Sequence, residues 1–72
     1  MENIKFGIIG LGNIGKRHLA VLDANKNVEV VQICDIDVEK CKAQAALYNY
    51  INYTVDYNAL LSNSEIDKVC IC

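Results

Sequence analysis

The residues whose types and spacing could do chemistry are three glycines, Gly10-x-Gly12-x-x-Gly15, and a carboxylate twenty positions past the last of them, Asp35. All four glycines of the 72-residue chain fall between Gly7 and Gly15. Glycine alone takes positive φ freely and lets a backbone come close to a neighbour. Gly10 is read as permitting a tight turn after a strand, Gly12 as admitting a pyrophosphate without a Cβ in its way, and Gly15 as letting the following helix pack closely on the sheet. Phosphates at such a turn meet free backbone N–H groups and the partial positive charge of a helix N-terminus, so no basic side chain is required. Lys16 and Arg17 are accordingly read as solvated residues of the first helical turns. Asp35 stands where a dinucleotide fold places the carboxylate that accepts both hydroxyls of the adenine ribose. Asp37 is the better candidate to cap the helix that follows.

Positioning these groups takes alternating strands and helices. The apolar run 4–9 reads as a strand that hands over to a helix at 14–24, with Ile14, His18, Val21 and Leu22 at helical spacing. A second strand at 28–34 ends beside Asp35. A second helix at 38–48 has Asp37 as its cap and carries Cys41, Ala45 and Tyr48 on one stripe. A short strand at 51–54, a short helix at 57–62 capped by Asp56, and a fourth strand at 67–72 complete a βαβαβαβ series. Right-handed crossovers turn this series into a parallel sheet of order 3-2-1-4, with the first two helices on one face and the third on the other. The fold class expected is α/β, the first half of a Rossmann-type doubly wound parallel sheet. Both faces of the first strand are apolar, which parallel strands normally bury. Residues 1–72 are therefore read as the N-terminal portion of a dinucleotide-binding domain, with the C-terminal substrate domain outside the sequence. A chain this short buries only ~60% of its unfolded surface.

Composition limits the alternatives. Hydrophobic residues make up 53% and charged residues 22% of the chain, which fits a globular protein and not a disordered one. The net charge of −2 lacks the basic excess that phosphate-backbone binding needs, so nucleic acid is not expected as a partner. No run approaches a membrane span and Met1-Glu-Asn-Ile-Lys does not begin like a secretory leader, so a cytoplasmic location without membrane attachment is expected. Four cysteines raise the question of bridges. Cys70 and Cys72 would lie on one strand with Cα atoms ~6.6 Å apart and parallel Cβ vectors, and Cys34 and Cys72 ~9.6 Å apart across a common neighbour, both poor for a disulfide. No C-x-x-C occurs and the single histidine lies elsewhere in the sequence, so no metal site is expected and all four cysteines, Cys41 included, are read as small buried hydrophobes.

The segments taken together resemble the N-terminus of the Gfo/Idh/MocA oxidoreductases. The resemblance is carried by Ile4-Lys-Phe-Gly-Ile-Ile-Gly-Leu-Gly-Asn-Ile-Gly-Lys-Arg-His-Leu19, by Val28-Glu-Val-Val-Gln-Ile-Cys-Asp-Ile-Asp37, by Asp56-Tyr57-x-x-Leu60-Leu61, and by Glu65-Ile-Asp67-x-Val69-x-Ile71-Cys72. It implies that Gly10, Leu11, Gly12, Asn13, Ile14 and Gly15 line the pyrophosphate of a nicotinamide dinucleotide, while Asp35 with Ile36 holds the adenosine. It implies NAD as the cofactor rather than NADP, since the Asp35 carboxylate would repel a 2′-phosphate and no arginine follows in the Ile36-Asp37 turn. For the parent protein it implies hydride transfer to or from a hydroxyl of a sugar, sugar nucleotide or polyol, and a homo-oligomer. The family's catalytic lysine and its downstream Asp/His pair have no counterpart in these residues, so no catalytic residue is assigned. Val55 departs from the family pattern as an extra residue before the third helix.

Three other readings are weaker. A P-loop, Gly10-x-x-x-x-Gly15-Lys16, fails at Arg17, where a hydroxyl should ligand Mg²⁺, and leaves Asp35 idle. Methyltransferases space their glycines more tightly. A non-catalytic nucleotide-sensing or scaffold module shares the fold and is separated from an enzyme only by measured turnover.

Overall fold

The computed structural model describes residues 3–49 and 51–72, so Met1 and Glu2, where the expectation about a leader rests, lie outside the described residues. Seven elements follow one another: β1 (Ile4–Ile9), α1 (Asn13–Asp23), β2 (Val28–Cys34), α2 (Val38–Leu47), β3 (Asn52–Thr54), α3 (Tyr57–Leu61) and β4 (Lys68–Ile71). The four strands form one parallel sheet in the order β3-β2-β1-β4, the order that right-handed crossovers require of this element sequence.

The two longer helices are on one face of the sheet and α3 is on the other. Ile8 of β1 joins Val30 and Ile33 of β2, Leu19 of α1 and Cys41 and Ala45 of α2 in a single buried cluster, with Leu11 added from the turn after β1. On the opposite face, a Cβ on Gly7 would fall 2.8 Å from Leu60 of α3 and 2.7 Å from Ile66, so the fourth glycine makes room for a fully buried leucine. Gln32 is also on that face and accepts a hydrogen bond from the Asn63 side chain at 2.9 Å.

Val30 and Ile33 are three residues apart, which strict alternation would place on opposite faces. The ladder explains their sharing one face. Phe6 pairs with Val30 but Gly7 pairs with Gln32, so Val31 is skipped at a bulge and β2 changes phase. Bulges are rare between parallel strands, and here one aligns Ile33 with Ile8 and Cys34 with Ile9.

Two aspartates set helix starts as expected. Asp37 Oδ1 accepts the N–H groups of Glu39 at 3.0 Å and Lys40 at 3.4 Å, and Asp56 Oδ1 accepts that of Asn58 at 2.9 Å. The second helix stops at Leu47, and Asn49 follows at φ 61°, a conformation asparagine tolerates better than branched residues. The first helix corrects the expected stripe. Ile14 and Val21 are 67% and 63% exposed and His18 is exposed, whereas Gly15 and Leu19 are buried and Leu22 packs at the edge of the core. The buried face thus runs through Gly15, Leu19 and Leu22, because Gly15 is the residue pressed against the preceding turn.

Candidate functional site

The β1–α1 turn is constrained from two sides. Gly10 has φ 97°, its N–H donates to the Cys34 carbonyl at 2.8 Å, and the Cys72 N–H donates to the Ile9 carbonyl at 2.9 Å. The chain therefore leaves the sheet between the tips of β2 and β4. A Cβ on Gly10 would be strained by its φ and would stand 2.6 Å from the Cys72 carbonyl oxygen. A Cβ on Gly15 would stand 1.9 Å from the Gly10 carbonyl oxygen, so the helix packs on the turn itself as well as on the sheet. Gly12 is different: nothing lies within 4 Å of where its Cβ would be. It is the N-cap of α1 in an extended conformation, with no side-chain cap, and the first turn contains no acidic residue. The orphan N–H groups and dipole of the helix therefore face open space at Gly12, an arrangement suited to an anion.

Asp35 joins this turn to the end of β2. Its Oδ2 accepts the Leu11 N–H at 2.8 Å and its Oδ1 accepts the Asp37 N–H at 2.8 Å. These hydrogen bonds, first that of Asp37 and then that of Leu11, hold the carboxyl below its ordinary pKa against the opposing effect of burial, with a smaller contribution from Lys40. The group is ionised at neutral pH. Each oxygen uses one acceptor position on the backbone and retains another, enough to receive two hydroxyls. The tip of β2 is braced from the other side by the Cys41 thiol, which donates to the Asp35 carbonyl at 3.4 Å.

A pocket of about 180 Å³ opens beside this carboxylate, lined by Ile9, Gly10, Cys34, Asp35, Ile36, Val55 and Tyr57. Its apolar members Ile36, Val55 and Tyr57 are 91%, 48% and 55% exposed. An aromatic base would cover this surface while its sugar reached the carboxylate.

The residues singled out from sequence thus divide by what they touch. Gly12, Asn13 and Ile14 surround the open helix start and are exposed. Asp35 and Ile36 line the pocket. Leu11 is fully buried in the core and its N–H is taken by Asp35, so its side chain faces the protein. Gly10 and Gly15 shape the turn against each other. Val55 and Tyr57 were not among the sequence candidates; the only signal for them is their place just past the strand that neighbours β2, which appears once the sheet order is known.

The reading of all four cysteines as buried is corrected at Cys70 and Cys72, which stand beside the histidine. His18 is far in sequence from Cys70 and Cys72, yet the ligating atoms of all three lie within 4.8 Å of one another. The Cys70 and Cys72 sulfurs are 3.6 Å apart. All four cysteines are free; Cys34 and Cys41 are buried, as read, but Cys70 is only half-buried and Cys72 is exposed. Burial raises the pKa of Cys34 and Cys41, so both are neutral thiols.

Comparison with known proteins bears on the fold that carries this turn. Residues 4–72 match the model of GFO_IDH_MocA, the oxidoreductase family with an NAD-binding Rossmann fold. The chain is 40% identical over 72 residues to the inositol 2-dehydrogenase of Salmonella typhimurium, covering 94% of this chain and 21% of that protein. It is 34% identical over 71 residues to an uncharacterized oxidoreductase of Bacillus subtilis, with 99% and 21% covered. The structure of myo-inositol dehydrogenase from Lactobacillus casei in complex with NAD(H) and myo-inositol superposes with a TM-score of 0.90 at 30% identity, covering 97% of this chain and 21% of that one. The chain therefore spans about a fifth of the length of the curated relatives it matches.

Proposed function

The chain belongs to the Gfo/Idh/MocA oxidoreductases, with their NAD-binding Rossmann fold, and from that premise we propose how its residues hold the dinucleotide. The backbone from Gly10 through Leu11, Gly12, Asn13, Ile14 and Gly15 receives the pyrophosphate at the open start of α1. Asp35 accepts the two hydroxyls of the adenosine ribose, and the adenine lies over Ile36 with Val55 and Tyr57 beside it. One observation carries this reading: an ionised carboxylate, fixed by two backbone N–H groups, stands between an uncapped helix start and an apolar pocket. The same carboxylate disfavours a 2′-phosphate, whose charge has its sign, and so favours NAD over NADP.

Bound NAD supplies a hydride acceptor, and the role of these residues is to fix and orient it. In the whole protein the reaction is hydride transfer between this cofactor and a hydroxyl of a sugar, sugar nucleotide or polyol. Likeness to inositol dehydrogenases favours a cyclic polyol. The residues that remove the proton and choose the substrate belong to a further domain beyond residues 1–72, which form the N-terminal part of the dinucleotide-binding domain. The 76% exposure of Ile71 on β4 supports a further element covering that face of the sheet. None of the described helices is long and apolar enough to cross a membrane. A cytoplasmic homo-oligomer is the assembly we assign, the location resting on four unbridged cysteines.

The test is calorimetric titration of the full-length protein with NADH, NADPH, ATP with Mg²⁺, and S-adenosylmethionine. Preference for NADH is expected. Asp35→Ala should weaken NADH binding by about 1–3 kcal/mol, roughly 5- to 150-fold, as befits hydroxyls left without a charged acceptor. An unchanged NADH dissociation constant in that variant would remove Asp35 from the ribose.

A further inference from the structure

We propose that His18, Cys70 and Cys72 form a binding site for a thiophilic divalent cation of the zinc class, bridging the second turn of α1 and the tip of β4. The site follows from strand parity. Cys70 pairs with Ile8 and so has the phase of the face that carries α1, where it packs against the core. Cys72, two residues on, has the same phase. Gly15 draws α1 onto this point, since a Cβ there would be only 3.6 Å from the Cys72 Cβ. His18 stands nearly one turn further along the helix, and its imidazole reaches the two sulfurs.

The distances suit tetrahedral coordination. Two thiolates about 2.3 Å from such an ion are about 3.8 Å apart, and a thiolate and an imidazole nitrogen about 3.6 Å apart. The observed sulfur separation is 3.6 Å, and the widest spacing among the three ligating atoms is under 4.8 Å, so side-chain rotation alone closes the set. Two sulfurs and one nitrogen favour zinc or cadmium over magnesium or calcium. His18 and Cys72 are exposed, so the ion enters from solvent and the fourth position is left to water. On binding, two S–H bonds break, two metal–sulfur bonds form, two protons leave to solvent, and the imidazole ligates in its neutral form. Affinity therefore rises with pH. The ion would tie α1 to β4 directly beneath the Gly10 turn.

The experiment is titration of the reduced full-length protein with Co²⁺, followed by absorption and then by displacement with Zn²⁺. One cobalt per chain is expected, with a thiolate-to-cobalt charge-transfer band and the intense visible bands of a tetrahedral site. Cys70→Ser and Cys72→Ser should each lower the affinity by more than about tenfold, and His18→Gln should lower it and change the visible envelope. X-ray absorption at the zinc edge of the loaded wild-type protein reads the ligand set without any substitution, and two sulfurs with one imidazole are expected. A first shell of nitrogen and oxygen only, a missing charge-transfer band, a titration indifferent to all three substitutions, or oxidation of Cys70 and Cys72 to a disulfide in place of metal uptake would each overturn the site.

Discussion

Gly15→Ala and Gly12→Ala place the same methyl group at two glycines of one turn and should have opposite consequences. At position 15 the new Cβ would fall 1.9 Å from the Gly10 carbonyl oxygen and 2.8 Å from its carbon. Cβ atoms essentially never come closer than 3.0 Å to a neighbour, so the helix and turn must separate by at least 1.1 Å, the difference between 3.0 and 1.9 Å. Both partners are backbone, and neither can swing aside. Overpacking of this kind costs about 1–3 kcal/mol or more, and the better helix propensity of alanine returns at most about 1. A net loss of about 1–2 kcal/mol is therefore expected. At position 12 nothing lies within 4 Å and φ is −70°, a value alanine adopts without strain. There the fold should lose no more than about 1 kcal/mol, the cost of alanine in place of glycine at an N-cap, while NADH affinity falls because the methyl group enters the space assigned to pyrophosphate. Urea denaturation and NADH titration of both full-length variants check the pair. A Gly15→Ala protein as stable as the parent would show that the helix does not rest on the Gly10 carbonyl. A Gly12→Ala protein that bound NADH normally would move the pyrophosphate elsewhere.

Two more outcomes are expected from the same site. Ile36→Ser removes a side chain that is 91% exposed, so stability should change by less than about 0.5 kcal/mol while NADH binding weakens several-fold if adenine covers it; an unchanged dissociation constant would exclude that contact. The Asp35 carboxyl is held below its ordinary value of 3.8 by backbone N–H groups, so the stability it contributes is fully present above that value and is lost as pH falls through the lower folded value. Acid titration of stability below about pH 4 should therefore be less steep in Asp35→Asn than in the parent, and equal slopes would count against the linkage.

The helix caps and the glycine turn were legible because each rests on a local rule, positive φ at Gly10 and side-chain acceptors at Asp37 and Asp56, and the sheet order because right-handed crossovers fix it once the apolar runs are read as strands. What escaped reading depends on contacts across the sheet. The phase of α1 is set by Gly15 against the Gly10 carbonyl, and glycine contributes nothing to an apolar stripe, so Ile14 and Val21 appeared to define the buried face. Val55 and Tyr57 enter the pocket only because β3 lies beside β2. The meeting of His18 with Cys70 and Cys72 needs, beyond the expected pairing of β4 with β1, the close approach of α1 at Gly15, which has no local signature.

The skipped Val31 also bears on how this strand tolerates changes in length. Phe6 pairs with Val30 and Gly7 with Gln32, so a chain lacking Val31 would join two segments already in matching frame and give an uninterrupted ladder. An extra residue elsewhere in β2 would have no such slack. It would send Ile33 away from α1 and α2, or carry Asp35 off the Leu11 amide, and core and carboxylate would be lost by one shift. The bulge thus marks a place where the strand already accommodates one residue beyond the ladder's count, leaving the glycine turn and its aspartate in step.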